Sequence, residues 1–115
     1  MRRGEIRLVN LDPVRGAESN KVRPAIIVSN DGANTTAERL GRGVVTVVPL
    51  TTNVDRVYPF QVLVPAQTSG LAHDSKAQAE QVRAISVERI GHFVGTLSAE
   101  LQAGLDEALR LHLAL

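Results

Sequence analysis

Cysteine and tryptophan are absent from these 115 residues, methionine occurs once, and aromatic side chains make up only 3% of the chain. The missing cysteine excludes disulfides and thiolate-bound metals, in keeping with a reducing compartment. The scarcity of aromatics removes the ring-lined groove by which small barrel modules bind peptides or RNA. No apolar run approaches the roughly 20 residues of a membrane span. Met1-Arg2-Arg3 leads into a polar-alternating strand rather than the apolar centre of a signal peptide. A soluble, cytoplasmic protein with no membrane partner is expected. Paired carboxylates are missing too: Asp12, Glu18, Asp31, Asp55, Asp74 and Glu80 are scattered, and the three histidines form no ligand motif. Neither a metal site nor a cofactor is expected. No serine lies in a nucleophile elbow, and no glycine-rich loop is built to cradle a phosphate.

The length suits one domain, residues 1–115, that buries roughly two-thirds of the surface of its unfolded chain. The net charge is only +1 but is unevenly spread: residues 1–56 carry nine Lys/Arg against six Asp/Glu, residues 57–115 four against six. That polarity permits nucleic acid along one face without requiring it.

The hydrophobic pattern reads as mainly β with a C-terminal helix. Glu5 to Leu11 alternates as a half-buried strand and Asp12-Pro13 closes it. Residues 14–22 read as a long surface loop. The apolar runs 25–28 and 44–48 are short and β-branched, as in the central strands of a small barrel or sandwich. Ala37 to Leu40 suggests a short helix before the turn Gly41-Arg42-Gly43. Tyr58 to Val64 alternates again, Ser75 to Ile85 does so weakly, and Phe93 to Thr96 makes a last short strand. Ser98 is a good N-cap, and Leu101, Leu105, Ala108 and Leu109 recur at helical spacing. An i,i+4 pair of Asp106 with Arg110 is expected on the other side of that helix. Leu111, Leu113 and Leu115 lie off the stripe, for a partner subunit or a fuller core.

Two polar elements stand against these apolar strands. Arg23 is held by Pro24, which biases it to extended backbone, and by the buried run Ala25-Ile26-Ile27-Val28 that follows, so it is an aimed cation. Thr51-Thr52-Asn53 follows the second apolar strand. Together they suit an anion. His73, in a loop before Asp74-Ser75, is a minor candidate general base. His92 reads as part of a turn and His112 as a helix-end residue.

The run Arg3-Gly4-Glu5-Ile6, then Leu11-Asp12-Pro13 with Gly16 and Glu18, then Arg23-Pro24-Ala25-Ile26-Ile27-Val28-Ser29-Asn30, then Pro49-Leu50-Thr51-Thr52-Asn53, then Asp74-Ser75 and Glu80-Gln81-Val82-Arg83-Ala84-Ile85, strongly resembles the MazF/PemK toxin family. The match covers nearly the whole chain. Each motif alone is weak; five in register are specific. The resemblance implies a small SH3-like, PemK-type β-barrel with a C-terminal helix, and a homodimer. It also implies a toxin that cuts single-stranded RNA without a metal, through 2′-hydroxyl attack on the neighbouring phosphate. The implied partner is a cognate antitoxin whose disordered acidic C-terminal segment covers the RNA site. By resemblance Arg23 and Thr51 are the catalytic residues, with Thr52 the adjacent alternative hydroxyl. Arg23, Glu18, His73 or a bound water remain open as acceptors of the 2′-proton. Arg15, Lys21, Asn53, Arg56, Tyr58 and Gln81 are candidate RNA contacts, Tyr58 by stacking. Phe60 is expected in the core, and Arg83 beside a carboxylate. The rival readings are a non-catalytic relative that binds DNA gyrase and a bland barrel-type binding module.

Overall fold

The computed structural model describes residues 1–11 and 22–115. Its elements, in chain order, are strands β1 (Glu5–Asn10) and β2 (Val22–Ile27), helix α1 (Asp31–Leu40), strands β3 (Val44–Thr51) and β4 (Gln61–Val64), and a single helical turn, α2 (Ala66–Ser69). Strands β5 (Ser75–Gln78), β6 (Arg83–Ser86) and β7 (Ile90–Thr96) and helix α3 (Ala99–Leu113) follow. The strands form one antiparallel sheet in the order β4-β5-β3-β2-β1-β7, with β6 also paired to β3. The mainly β, helix-ended reading is borne out. The sheet, however, is open: β4 and β7 end the path without pairing to each other.

The continuous apolar runs follow from burial on both faces. Ala25, Ile26 and Ile27 of β2 are all fully buried, although their side chains alternate across the sheet. Ile26 joins Ile6, Val48, Leu50, Val64, Leu105 and Ala108 in one core, which α3 covers. Ala25 and Ile27 join Val9, Val45, Val47, Ile85 and Ala37 of α1 in another. Because β3 is eight residues long, its first half pairs with β6 and its end with β5, so it bridges both halves of the sheet.

Several local expectations are corrected. In β1 the buried residues are Ile6 and Val9, not an alternating set, because register shifts against β7 interrupt the ladder there. The helix expected at 37–40 begins at Asp31. Asn30 caps it, its side chain accepting from the Ala33 amide at 2.8 Å, and Gly41 ends it at φ 65°. The buried Asn34 locks the helix to the sheet: its side-chain amide donates to the Ser29 carbonyl, and its Oδ1 accepts from the Ser29 hydroxyl. β4 starts only at Gln61, since residues 58–60 turn, with the Gln61 amide donating to the Tyr58 carbonyl. A turn of 3-10 helix at Ala79–Gln81 splits the weak strand 75–85 into β5 and β6. His92 lies in β7 rather than in a turn, and is exposed. Phe60 belongs to neither core; half-buried, it stacks on Tyr58 with centroids 5.3 Å apart.

Ser98 caps α3 as expected, its Oγ accepting from the Leu101 amide at 3.1 Å. Leu105 and Ala108 are buried, whereas Leu111, Leu113 and Leu115 are exposed. Asp106 does not pair with Arg110. It accepts instead from Arg3, at 2.7 Å, while Arg110 pairs with Glu107. Arg3 also donates through Nε to the Val28 carbonyl, so one guanidinium ties the segment before β1 and the residue after β2 to α3. Burial pushes the Asp106 carboxyl up, but the hydrogen bonds from Arg3 and Gln102 and the charges of Arg3 and Arg110 outweigh it and hold the group below the ordinary aspartate value.

Candidate functional site

Residue 23 lies at the start of β2 and residue 51 at the end of β3. Their ladder pairs Ala25 with Pro49, Ile26 with Val48 and Ile27 with Val47. Continued by two residues, that register sets Arg23 opposite Thr51. The two share a groove of about 260 Å³ lined by Arg23, Pro24, Leu50, Thr51 and Thr52. On the other side of Arg23 a second groove, of about 350 Å³, is lined by Leu11, Arg23, Pro49, Gln78, Gln81 and Arg83. Arg23 is thus the common wall of two adjoining grooves. Among the described residues neither groove is lined by a carboxylate.

The local chemistry follows from backbone position. Arg23 is exposed, and among the described residues it makes no ion pair or hydrogen bond through its side chain, which leaves the fork of N–H donors available to a ligand. Thr51 is half-buried and still within β3, where it pairs with Lys76 of β5. Its Oγ1 accepts from the Asn53 amide at 3.3 Å, which orients the hydroxyl and leaves its proton to be donated. Thr52 lines the same groove but lies past the strand end and is exposed. Of the two threonines, Thr51 is the one held by the sheet.

The loop after Thr51 carries three more of the expected residues, none of which lines either groove. Asn53 accepts through Oδ1 from the Asp55 amide at 3.3 Å, an Asx turn. Arg56 donates to the Tyr58 hydroxyl at 3.3 Å and lies 5.9 Å from the centre of that ring. Tyr58 has one face against Phe60. Gln81 lines the larger groove. His73 is exposed in the turn before β5, its carbonyl accepting from the Ser75 hydroxyl, and lines neither groove. Arg15, Glu18 and Lys21 lie outside the described residues.

Arg83 turns out to be a groove residue. Among the described residues it has no carboxylate partner, and it lines the same groove as Arg23. Its sequence signal was the spacing Gln81-Val82-Arg83, which puts both polar side chains on one side of the turn into β6. Gln78 was missed, as was Lys76, whose burial only the three-dimensional structure reveals.

Fold and grooves together define a small antiparallel-sheet protein in which an arginine and two threonines line one groove at the junction of two strands. The family model described as the PemK-like, MazF-like toxin of type II toxin-antitoxin systems matches residues 2–113, and the chain belongs to that family. It is 63% identical over 115 residues to endoribonuclease MazF9 of Mycobacterium tuberculosis, covering all of this chain and 98% of that protein. It is 30% identical over 116 residues to endoribonuclease EndoA of Bacillus subtilis, covering 100% of this chain and 96% of the relative. Among solved structures, the M. tuberculosis toxin MazF-mt6 superimposes with a TM-score of 0.77 at 29% identity, over 96% of this chain and 97% of that one. A mycobacterial endoribonuclease solved with its cognate antitoxin shares the fold, with a TM-score of 0.79 at 23% identity over 100% and 96% of the two chains.

Proposed function

We propose that this chain is an endoribonuclease toxin that cuts single-stranded RNA at short sequences, with Arg23 and Thr51 at the reacting phosphate. The observation that carries the reading is that both line one groove just beyond the end of the β2–β3 ladder, with no carboxylate among its described lining. The family membership and the two relatives named as endoribonucleases support it.

The 2′-oxygen of the nucleotide before the cut attacks phosphorus and gives up its proton to a base. The bond from phosphorus to the 5′-oxygen breaks in line, and that oxygen takes a proton. The products are a 2′,3′-cyclic phosphate and a 5′-hydroxyl. Negative charge grows on the non-bridging oxygens on the way, and fixed donors aimed there lower the barrier. Arg23 supplies a permanent charge and a two-pronged donor; Thr51 supplies a hydroxyl proton from a strand that does not move. Arg83, across the larger groove, holds a neighbouring phosphate. Gln81 and Gln78 there offer amide groups to base edges, and Thr52, Asn53, Arg56 and Tyr58 flank the other side. The two-groove arrangement fits an extended strand passing over Arg23.

The proposed partners are a second copy of this chain, through the open sheet edges and the exposed leucines of α3, and an antitoxin whose acidic segment places carboxylates where RNA places phosphates. Purified protein incubated with a long single-stranded RNA in EDTA tests the function. Discrete fragments with 5′-hydroxyl ends are expected; intact RNA would overturn the reading.

A further inference from the structure

Lys76 is the one lysine or arginine among the described residues that is buried, only 7% exposed. A buried ammonium must find compensation, yet no carboxylate among the described residues pairs with it. Its Nζ instead donates to the main-chain carbonyl of Arg56 at 2.5 Å and lies 6.0 Å from the centre of the Tyr58 ring. Both contacts are in the loop that leaves the site. The backbone of Lys76 pairs with Thr51, so the same residue is strand partner to one side of the groove and anchor to the loop beside it.

We propose that Lys76 is a positioning residue for RNA selection, pinning the 52–58 loop through the Arg56 carbonyl so that Thr52, Arg56 and Tyr58 present a fixed surface to the nucleotides beside the cut. The inference rests on the endoribonuclease reading above. A charged donor on a main-chain carbonyl is among the stronger hydrogen bonds, and here, partly buried, it closes a loop between residues 20 positions apart. The ring of Tyr58, stacked on Phe60 and flanked by Arg56, has its place set by the same contact. Without the anchor, Thr51 keeps its ladder position, because that pairing uses main-chain atoms. The flanking surface would then become mobile while the reacting groups stay in place.

The test uses Lys76→Met, which keeps the apolar stem and removes the charge and donor, with Lys76→Arg as the conservative variant. Trypsin cleaves after Arg56 at the very carbonyl that Lys76 holds, so loop opening is read directly. Lys76→Met should be cut there about tenfold faster or more than the parent chain, and Lys76→Arg should regain protection. The single tyrosine and absence of tryptophan make intrinsic fluorescence a reporter of Tyr58 alone, and its anisotropy should fall in the Met variant. Against a random RNA pool, Lys76→Met should cut a wider set of sequences, with raised KM and unchanged kcat on the parent's preferred site. Loss of loop protection with an unchanged cut-site spectrum would overturn the selection role alone. No cleavage by the parent chain would overturn the endoribonuclease reading and RNA selection with it. Global unfolding of Lys76→Met and of a second variant, Lys76→Gln, would make Lys76 a packing residue and also overturn the proposal.

Discussion

Replacing Arg23 should separate chemistry from folding. The side chain is exposed and holds no described residue through a hydrogen bond or ion pair, so Arg23→Ala should leave the melting temperature near that of the parent. At the groove the loss is larger. Removing a preorganised donor from a developing oxyanion typically costs a factor of about 10² to 10³ in kcat. Arg23 offers two donors and a full charge, so the upper part of that range or beyond is expected. Arg23→Lys keeps the charge but gives up the planar fork and should recover only part of the rate. Thr51→Ala, which removes one neutral donor, should cost less, on the order of ten- to a hundredfold. The assay is single-turnover cleavage of a quenched fluorescent RNA, with circular dichroism of each variant alongside. An Arg23→Ala chain that is unfolded, or one that is folded and cuts within a fewfold of the parent rate, would refute the reasoning.

Asp106, lowered below the ordinary aspartate value by Arg3 despite its partial burial, contributes stability that is fully present above the unfolded-state pKa and is lost as pH falls through its lower folded-state pKa. Acid melts of Asp106→Asn should therefore show a lower melting temperature at neutral pH and a shallower decline toward pH 3; parallel curves for variant and parent would contradict this. Gly95 crosses the end of α2 so closely that a Cβ would overlap the Ser69 carbonyl oxygen, and both chains there are backbone. Gly95→Ala should destabilise by about 2 kcal/mol or more, measured by urea unfolding, whereas a change under about 0.5 kcal/mol would show that the crossing relaxes freely.

The strands that build the site were legible because burial on both faces writes them as continuous β-branched runs, at 25–28 and 44–48. Arg23 and Thr51 stood out for the same reason, as polar residues abutting those runs, and the family resemblance gave them roles. What stayed hidden depends on distant partners or on capping. Helix α1 has no broad apolar stripe; only Asn34 and Ala37 are buried, and Asn30, Gly41 and the Ser29–Asn34 lock define its ends. The partner of Asp106 is 103 residues away in Arg3, so helical spacing pointed to Arg110 instead. Bulges in β1 broke an alternation that the pattern alone suggested. Nothing in the weak alternation of 75–85 marks Lys76; it is buried where the loop carrying Arg56 and Tyr58 meets β5.

The most direct test of the central claim uses an RNA with a single 2′-deoxy substitution at the nucleotide before the mapped cut. If the 2′-hydroxyl is the nucleophile and the protein supplies donors to the phosphate, this RNA should bind as the parent substrate does, with affinity that falls steeply as salt rises, and should not be cut at that position. The all-ribose control should yield a 2′,3′-cyclic phosphate and a 5′-hydroxyl. Cleavage of the substituted RNA at the same bond would contradict the account, because the attacking oxygen would then have to come from water or from the protein.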